Sequence, residues 1–408
     1  MGNSKRHSSG PMNGAERRAT AGLATIFGMR MLGLFLIMPV FTLYADALGG
    51  ATPTLIGVAI GAYGLTQALL QIPMGVLSDR VGRRPVIVGG LVVFALGSAV
   101  AAMSGTIWGV IAGRALQGAG AIAAAVMALA ADTTREQQRT KAMALIGISV
   151  GLAFMLALVI APEAAAAMGL SGIFWLTGAL ALVAMALLVW LVPVPTTRSH
   201  DRDIRAGTFG EVLRNPDLLR LDASVMVLHS IMTAQFVVLP VVIADVAGLA
   251  PADHWKMYVP VMAISALLMF PAIGVGEAKR VMHRLIAAAV VVLIVGEVAL
   301  ADASAIGPWA LAGALVVYFT AFNVLEASLP SLVTRFAPQA ARGAALGVFS
   351  TSQFTGAFLG GVLGGAAYGR FGPTGVFIGG AVLAAVWLVL VSGLSAPVTA
   401  GAGASQGV

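Results

Sequence analysis

The chain contains no cysteine, and only 10% of its 408 residues carry a charge. The absence of cysteine excludes disulfides, thiolate catalysis and Cys-ligated metals. A charged fraction this low excludes an ordinary soluble domain, in which about 25% of residues are charged. No lysine follows a glycine and no His-Glu-x-x-His occurs, so the chain has neither a phosphate-binding loop for ATP nor a zinc-protease motif. We therefore expect no enzymatic activity, no cofactor and no metal.

Hydrophobic residues instead make up 59% of the chain. A membrane-spanning helix needs about 20 apolar residues, and the sequence divides into twelve such runs at charge or Gly/Pro clusters. It predicts an all-α integral membrane protein whose twelve transmembrane helices form two pseudo-symmetric six-helix bundles. The predicted spans begin near Ala21, Thr54, Pro85, Thr106, Ala142, Ile173, Leu221, Met257, Arg284, Ile306, Gly343 and Thr374.

The basic residues predict the orientation of these spans. When the N-terminal tail is placed in the cytoplasm and the loops alternate, only Lys256 and Arg370 of the 24 basic residues fall outside, while Arg30 and Arg114 fall within spans. This division satisfies the positive-inside rule. We expect a multi-pass protein of a bacterial inner membrane with both termini cytoplasmic. The basic excess is then a topology signal, and we expect no nucleic-acid partner.

A long polar stretch cuts the chain near its middle, with six predicted spans on either side. Within it, Phe209, Val212 and Leu213 alternate with charged residues. This pattern fits either a short helix on the membrane surface or a flexible charged linker. The expected organisation is a disordered cytoplasmic tail (1–19), a first bundle (20–192), a cytoplasmic linker (193–220), a second bundle (221–394) and a short cytoplasmic tail (395–408).

The loop between the second and third spans carries a motif, Gly75-Val-Leu-Ser-Asp79-Arg80-Val-Gly82-Arg83-Arg84. It resembles the signature loop of the major facilitator superfamily. Glycines allow close helix packing and a turn, and the arginines lie where anionic headgroups are. The resemblance implies that Asp79 meets the positive N-terminal end of the eleventh span near Gly343. Such a contact would clamp the halves together on the cytoplasmic side and stabilise the outward-facing state. Alternatively, the arginines merely orient the loop.

Other stretches bear on the resemblance. The counterpart loop of the second half, Gly274-Val-Gly276-Glu277-Ala-Lys279-Arg280, loses the Gly-Asp spacing, so we expect a one-sided clamp. The fourth span holds Arg114-Ala-Leu-Gln117-Gly118-Ala-Gly120, similar to a motif of proton-coupled antiporters of the superfamily. The fifth span departs from the antiporter pattern, because alanines flank Pro162 where that pattern has glycines.

The tenth and eleventh spans narrow the resemblance to the YajR-type transporters of the drug-exporter branch. The residues that carry it are Phe322-Asn323-Val-Leu-Glu326 with Pro330, Gly347-Val-Phe-Ser350-Thr351-Ser352-Gln353, and the pairs Gly360-Gly361 and Gly364-Gly365. The resemblance extends from about Ala21 to Ser392. Transporters of that type have a small soluble domain after the last helix, which we expect this chain, ending at Val408, to lack.

A transport site is expected near mid-membrane between the halves, and polar residues near mid-span are the candidates. They are Arg30, Gln67, Arg114, Gln117, Gln235, Asn323 and Glu326. For the amides, a structural bridge between helices is an equal alternative. Charges inside a membrane are functional by default. We therefore expect Glu326 to load a proton outside and release it inside, unless it bridges to a neighbouring helix. Glu297 and His229 are weaker candidates, and the alternative for Glu297 is an approach to the outer headgroups.

The function predicted from these residues is proton-coupled efflux of small apolar or amphiphilic compounds by alternating access. The alternatives are a specific metabolite exporter or importer, with Arg30 or Arg114 binding a carboxylate, and a transport-dead membrane sensor. The expected partners are a small-molecule substrate, protons and the lipid bilayer, and the chain is expected to be a monomer.

Overall fold

The computed structural model describes residues 11–193 and 206–394, which are almost entirely helical. The first half contains α1 (Gly14–Phe35), α2 (Phe41–Ala45), α3 (Pro53–Val81), α4 (Arg83–Met103), α5 (Ile107–Ala119), α6 (Ala123–Asp132) and α7 (Glu136–Leu191). The short α8 (Ala206–Val212) precedes the second half, which contains α9 (Pro216–Ala247), α10 (Trp255–Ala278), α11 (Met282–Ile306), α12 (Pro308–Phe336) and α13 (Arg342–Ser392).

Twelve crossings follow from these helices. Within the described residues, nine segments are long and apolar enough to span a membrane. Two of them, α7 and α13, fold at Gly169 and Gly372, where φ is 66°. Each therefore crosses twice, and α1 with its continuation α2 supplies the remaining crossing. The twelve-helix, two-bundle prediction is confirmed.

The two folded helices share a local reason for reversing. A positive φ is open to glycine at little cost, and a second glycine follows three positions later. A Cβ on Gly172 would fall 2.2 Å from Met168 Cβ, and one on Gly375 would fall 2.2 Å from Phe371 Cβ. Only glycine fits so tight a reversal, and its recurrence marks the two halves as structural repeats.

The two halves share a buried apolar cluster on one side of the membrane. We call the side on which α1 begins the tail side and the opposite one the far side. On the far side, first-half residues such as Val40, Phe41 and Phe174 belong to one buried apolar cluster together with the second half. On the tail side, the buried residues around Leu23 and Leu129 form a separate cluster drawn from the first half alone. The described state is therefore closed on the far side.

Two predicted boundaries need correction. The tail expected over 1–19 is helical from Gly14, because Asn13 caps the helix and forms a capping box with Glu16. The linker expected over 193–220 contains α8, whose Val212 is fully buried, and α9 already begins at Pro216. The rest of the predicted tails and linker, at 1–10, 194–205 and 395–408, lies outside the described residues.

Glu16 fastens the start of α1, ahead of the membrane, to the loop before α7. Its carboxylate accepts hydrogen bonds from the backbone N–H and Nε of Arg135 at 2.9 and 2.8 Å. The side-chain hydrogen bond from Arg135 lowers the pKa of Glu16 to about 2. The contact therefore stabilises the fold above the ordinary carboxyl range, near 4.5, and is lost as the pH falls toward 2.

We expect Glu16→Gln to free the first turn of α1 at neutral pH. A charge-assisted hydrogen bond contributes about 1.5–3 kcal/mol, so tryptic cleavage after Arg17 and Arg18 should become about ten-fold faster. Limited proteolysis of the purified protein measures this rate. Glu136→Gln, at an exposed position in the first turn of α7, is the matched control. Equal cleavage of both variants and the parent would contradict the prediction.

Candidate functional site

A polar network fills the core of the first half. Arg30 is 0% exposed, and its Nη2 donates to Gln67 Oε1 at 2.6 Å and to the Gly120 carbonyl at 3.3 Å. Gln67 in turn donates to Gln71 Oε1 at 2.6 Å. The sequence-predicted pair of Arg30 and Gln67 is thus one hydrogen-bonded unit, held inside the bundle.

Arg114 lies beside this network and is 1% exposed. Its guanidinium donates to the Ala59 and Ile60 carbonyls at 3.3 and 3.2 Å and to Gln117 Oε1 at 2.9 Å. The Tyr63 ring contacts both cations, with its centroid 5.5 Å from Arg30 Cζ and 5.2 Å from Arg114 Cζ. No ion pair joins either arginine to a carboxylate of the described chain. The first half therefore buries two positive charges that only backbone, amide and aromatic groups compensate.

We expect Arg114→Lys to destabilise the first half. A lysine keeps the charge but cannot direct a planar fork at two carbonyls and an amide. Leaving buried acceptors unpaired costs about 1–3 kcal/mol each, so the melting temperature should fall by several degrees. Thermal unfolding in detergent measures this, with Arg80→Lys at an exposed loop position as the control. An unchanged melting temperature for Arg114→Lys would show that the fork carries little of the stability.

The second half places a carboxylate where three helices converge. Glu326 on α12 has a side chain that is 41% exposed, and its Oε2 lies 3.7 Å from His229 Nε2 on α9. Gln353 on α13 donates to Glu326 Oε1 at 3.3 Å and contacts His229 Nε2 at 2.7 Å. His229 Nδ1 lies 3.1 Å from the Val225 carbonyl, which can only accept. The proton of neutral His229 is therefore on Nδ1, and Nε2 is the acceptor that faces Gln353 and Glu326.

The first-half network and the Glu326 cluster approach each other across the boundary between the halves. The ring of Tyr63 meets that of Phe354 edge to face, with centroids 6.1 Å apart. Phe354 directly follows Gln353, and a Cβ on Gly64 would fall 2.6 Å from the Phe354 carbonyl. A movement of α3 relative to α13 would therefore displace residues of both the Arg30 network and the Glu326 cluster.

The other predicted site residues lie elsewhere. Gln235 donates to Glu297 Oε1 at 2.8 Å inside the second half, and Asn323 donates to Ser265 Oγ at 3.1 Å. Glu297 is 0% exposed, so the weaker expectation that it approaches the headgroups is wrong. Gln353 is not among the predicted site residues, and His229 is predicted only as a weaker candidate. The signal for both was a polar side chain near mid-span, in helices that border the other half.

The signature loop forms an ion-pair cluster on the tail side. Arg83 pairs with Asp79 and with Asp132 at 3.4 Å, and its Nη1 donates to Ser78 Oγ at 2.8 Å. Gly82 makes the turn with φ 104°. Arg84 donates to the Leu188 carbonyl at 2.8 Å, Arg80 is exposed, and a Cβ on Gly75 would approach Ala124 Cβ to 3.2 Å.

In this state Asp79 forms its ion pair with Arg83, a residue of its own half. No hydrogen bond or ion pair joins Asp79 to α13 within the described residues, and a Cβ on Gly343, at the start of that helix, would meet nothing within 4 Å. The corresponding loop of the second half contains its own ion pair, between Glu277 and Arg335. The contact of Asp79 with α13 stays a prediction for the opposite state.

Comparisons with known proteins agree with this architecture. Residues 23–361 match the family model of the Major Facilitator Superfamily. The chain is 49% identical over 388 residues to the inner membrane transport protein YajR of Escherichia coli (strain K12), covering 95% of this chain and 85% of that one. It is 29% identical over 350 residues to the multidrug resistance protein MdtH of Aeromonas hydrophila, covering 82% and 84%.

Among solved structures, a bacterial homolog of the human lysosomal transporter Spinster, in an inward-facing and occupied conformation, superposes with a TM-score of 0.79. The identity is 12%, with 95% of this chain and 98% of that chain covered. At that identity the likeness concerns the fold alone.

Proposed function

This chain belongs to the Major Facilitator Superfamily, and on that premise we propose that it exports small apolar or amphiphilic compounds in exchange for protons. It is a membrane transporter of that superfamily; the direction, the coupling ion and the substrate class are the proposal. The observation that carries it is Glu326, a half-exposed carboxylate that contacts His229 and Gln353 at the boundary between the halves, which share a buried apolar cluster on the far side.

The geometry supports proton release in the described state. With the tail side in the cytoplasm, as the basic residues predict, this state opens inward. There Gln353 donates to one oxygen of Glu326, and His229 Nε2 is 3.7 Å from the other. Because its side chain is 41% exposed between halves that are closed on the far side, Glu326 is placed to exchange a proton with the cytoplasmic side.

A row of buried and partly buried aromatic side chains at the boundary between the halves favours an apolar substrate. Five phenylalanines form a row that crosses the boundary, with ring centroids 5.1 to 6.5 Å apart between neighbours. They are Phe35, Phe154, Phe236, Phe319 and Phe322. Aromatic rings bury large apolar areas and accept cations over their faces. A lipophilic cation fits both the aromatic row, which favours its apolar part, and Glu326, whose proton its charge would displace.

Purified protein in liposomes that contain a pH-sensitive dye tests this function. Ethidium, a planar lipophilic cation, is added under an imposed pH gradient, and proton movement is recorded. We expect ethidium to drive proton flux in liposomes with the protein and none in protein-free liposomes. Ethidium movement without proton flux would overturn proton coupling and favour uniport or another coupling ion.

A second candidate is transport of an anionic metabolite. The two buried guanidiniums of Arg30 and Arg114 lack a carboxylate partner in the described chain, and a substrate carboxylate would supply one. This alternative predicts that small organic carboxylates, and not ethidium, bind the purified protein, and that Arg30→Gln abolishes their binding. Calorimetric titration with both ligand classes separates the two functions.

A further inference from the structure

Glu297 on α11 is a carboxyl sealed inside the second half. It is 0% exposed, and Gln235 on α9 donates to its Oε1 at 2.8 Å. Its other oxygen, Oε2, has no hydrogen-bond partner in the described chain, and neither does Gln235 Oε1. The pair of Gln235 and Glu297 thus shares one hydrogen bond and leaves one buried oxygen on each side chain without a partner. When the carboxyl is charged, both of these oxygens can only accept hydrogen bonds.

The helices around Glu297 bring no positive charge to it. Gln235 faces it from α9, Tyr318 lies beside it on α12, and Gly380 faces it from α13, where a Cβ would fall 2.9 Å from the carboxyl carbon. Tyr318 Oη is also buried without a partner. Neither α10 nor any other described element makes an ion pair with Glu297. A charged carboxylate at mid-membrane costs at least about 2.5 kcal/mol, and among the described residues only the hydrogen bond from Gln235 offsets that cost.

The first half contains an equivalent cluster of side chains at the corresponding position, and there all of its groups are neutral. Gly97 packs against the backbone of Gln117, just as Gly296 packs against the backbone of Tyr318. Ser98 and Glu297 therefore occupy equivalent places, each following such a glycine.

Thr177 and Gly380 correspond in the same way, since each lies eight positions after the glycine at which its helix folds. In the first half, Ser98 Oγ accepts from Gln117 at 2.8 Å and contacts Thr177 Oγ1 at 3.1 Å. In the second half, the missing side chain at Gly380 leaves room for the longer Glu297. The repeat thus predicts a neutral hydrogen-bonding group at position 297.

We propose that Glu297 is a proton-binding site of the second half, occupied in the described state and separate from Glu326. A proton on Oε2 makes that oxygen a donor, and Gln235 Oε1 is the acceptor on the side chain already bonded to Oε1. The carboxylic acid and the amide then form two hydrogen bonds, which tie α9 to α11. The site needs no transport activity, so it stands or falls independently of the proposed exchange at Glu326.

Infrared difference spectroscopy of the full chain in lipid tests the site, because a protonated carboxyl has a C=O stretch that a carboxylate lacks. The parent is the Glu326→Gln variant, so that the cavity carboxyl does not contribute. At neutral pH we expect the spectrum of the parent minus that of Glu326→Gln/Glu297→Gln to contain a carboxylic-acid band that shifts down in D₂O. A difference spectrum without that band would overturn the proposal.

A second variant keeps the test decisive even where Glu297→Gln does not fold. Gln235→Leu removes the amide that donates to Glu297 Oε1 while leaving the carboxyl in place. The band should then move to higher frequency, because its C=O has lost a hydrogen bond. Asn323→Leu, which removes the amide bonded to Ser265, is the matched control and should leave the band where it was. A band unmoved by Gln235→Leu would assign it to another carboxyl and refute the site.

Discussion

Glutamine at position 326 is expected to abolish substrate-driven proton flux while the protein still binds its substrate. Glutamine has the size of glutamate and can still bond to Gln353, but it cannot exchange a proton. If Glu326 is the carrier, no proton crosses with it, so coupled flux should fall to the level of protein-free liposomes. Ethidium binding, measured by its fluorescence, should persist at lower affinity, because the row of phenylalanines is unchanged while the negative charge at position 326 is lost.

The control for this variant is Glu163→Gln. Glu163 is an exposed carboxylate of α7, and its replacement should leave the flux at the parent level. A His229→Gln variant adds a graded readout, since it removes the ring nitrogen 3.7 Å from Glu326 and keeps the carboxyl. We expect it to slow flux and shift its pH dependence without abolishing it. Flux that persists in Glu326→Gln would make Glu326 a structural residue and transfer the carrier role elsewhere.

The fold could be predicted because it depends on chemistry that is local in sequence. Runs of about 20 apolar residues set the crossings, and glycines at 82, 169 and 372 permit the turns that separate them. The signature loop likewise identifies the family, since its glycines and arginines act within a few positions of one another. These features need no knowledge of which helices are neighbours.

The site was predicted less completely because its residues meet only after packing. Glu326 stands out in sequence as a mid-span charge, whereas Gln353 acquires a role only when α13 lies against α9 and α12. Gln235 was assigned to the cavity, but its amide turns to Glu297, which is as buried as any residue of the chain. Hydropathy reports that a helix is in the membrane and does not report which of its faces meets another helix.

Which side of the transporter is closed could not be predicted from the sequence either. Asp79 has one partner within its own half and a predicted partner on α13, and the sequence is the same in both states. The structure closes on the far side, where α3 and α13 pack through glycines, and within the described residues Asp79 makes no ion pair or hydrogen bond with α13. This arrangement makes the glycine contact the element that decides which side is closed.

A valine at position 57 should therefore prevent closure of the far side. A Cβ on Gly57 would fall 2.0 Å from the Gly361 carbonyl oxygen and 2.9 Å from Gly365 Cα, both backbone atoms of α13 that cannot rotate away. Overpacking costs about 1–3 kcal/mol even where side chains can adjust, and every 1.4 kcal/mol changes an equilibrium ten-fold. We expect the far-side-closed state to lose at least about ten-fold in population, and transport to stop.

The absence of native cysteine makes this shift measurable without background. Thr42, in α2 on the far side, is 5% exposed, so Thr42→Cys should react slowly with a membrane-impermeant maleimide. Adding Gly57→Val should speed that reaction about ten-fold or more. Gly89→Val is the control, because a Cβ there meets nothing within 4 Å. A protected Thr42→Cys in the Gly57→Val background would mean that α3 and α13 separate without opening the far side, and closure would then rest on the apolar cluster around Phe41 instead.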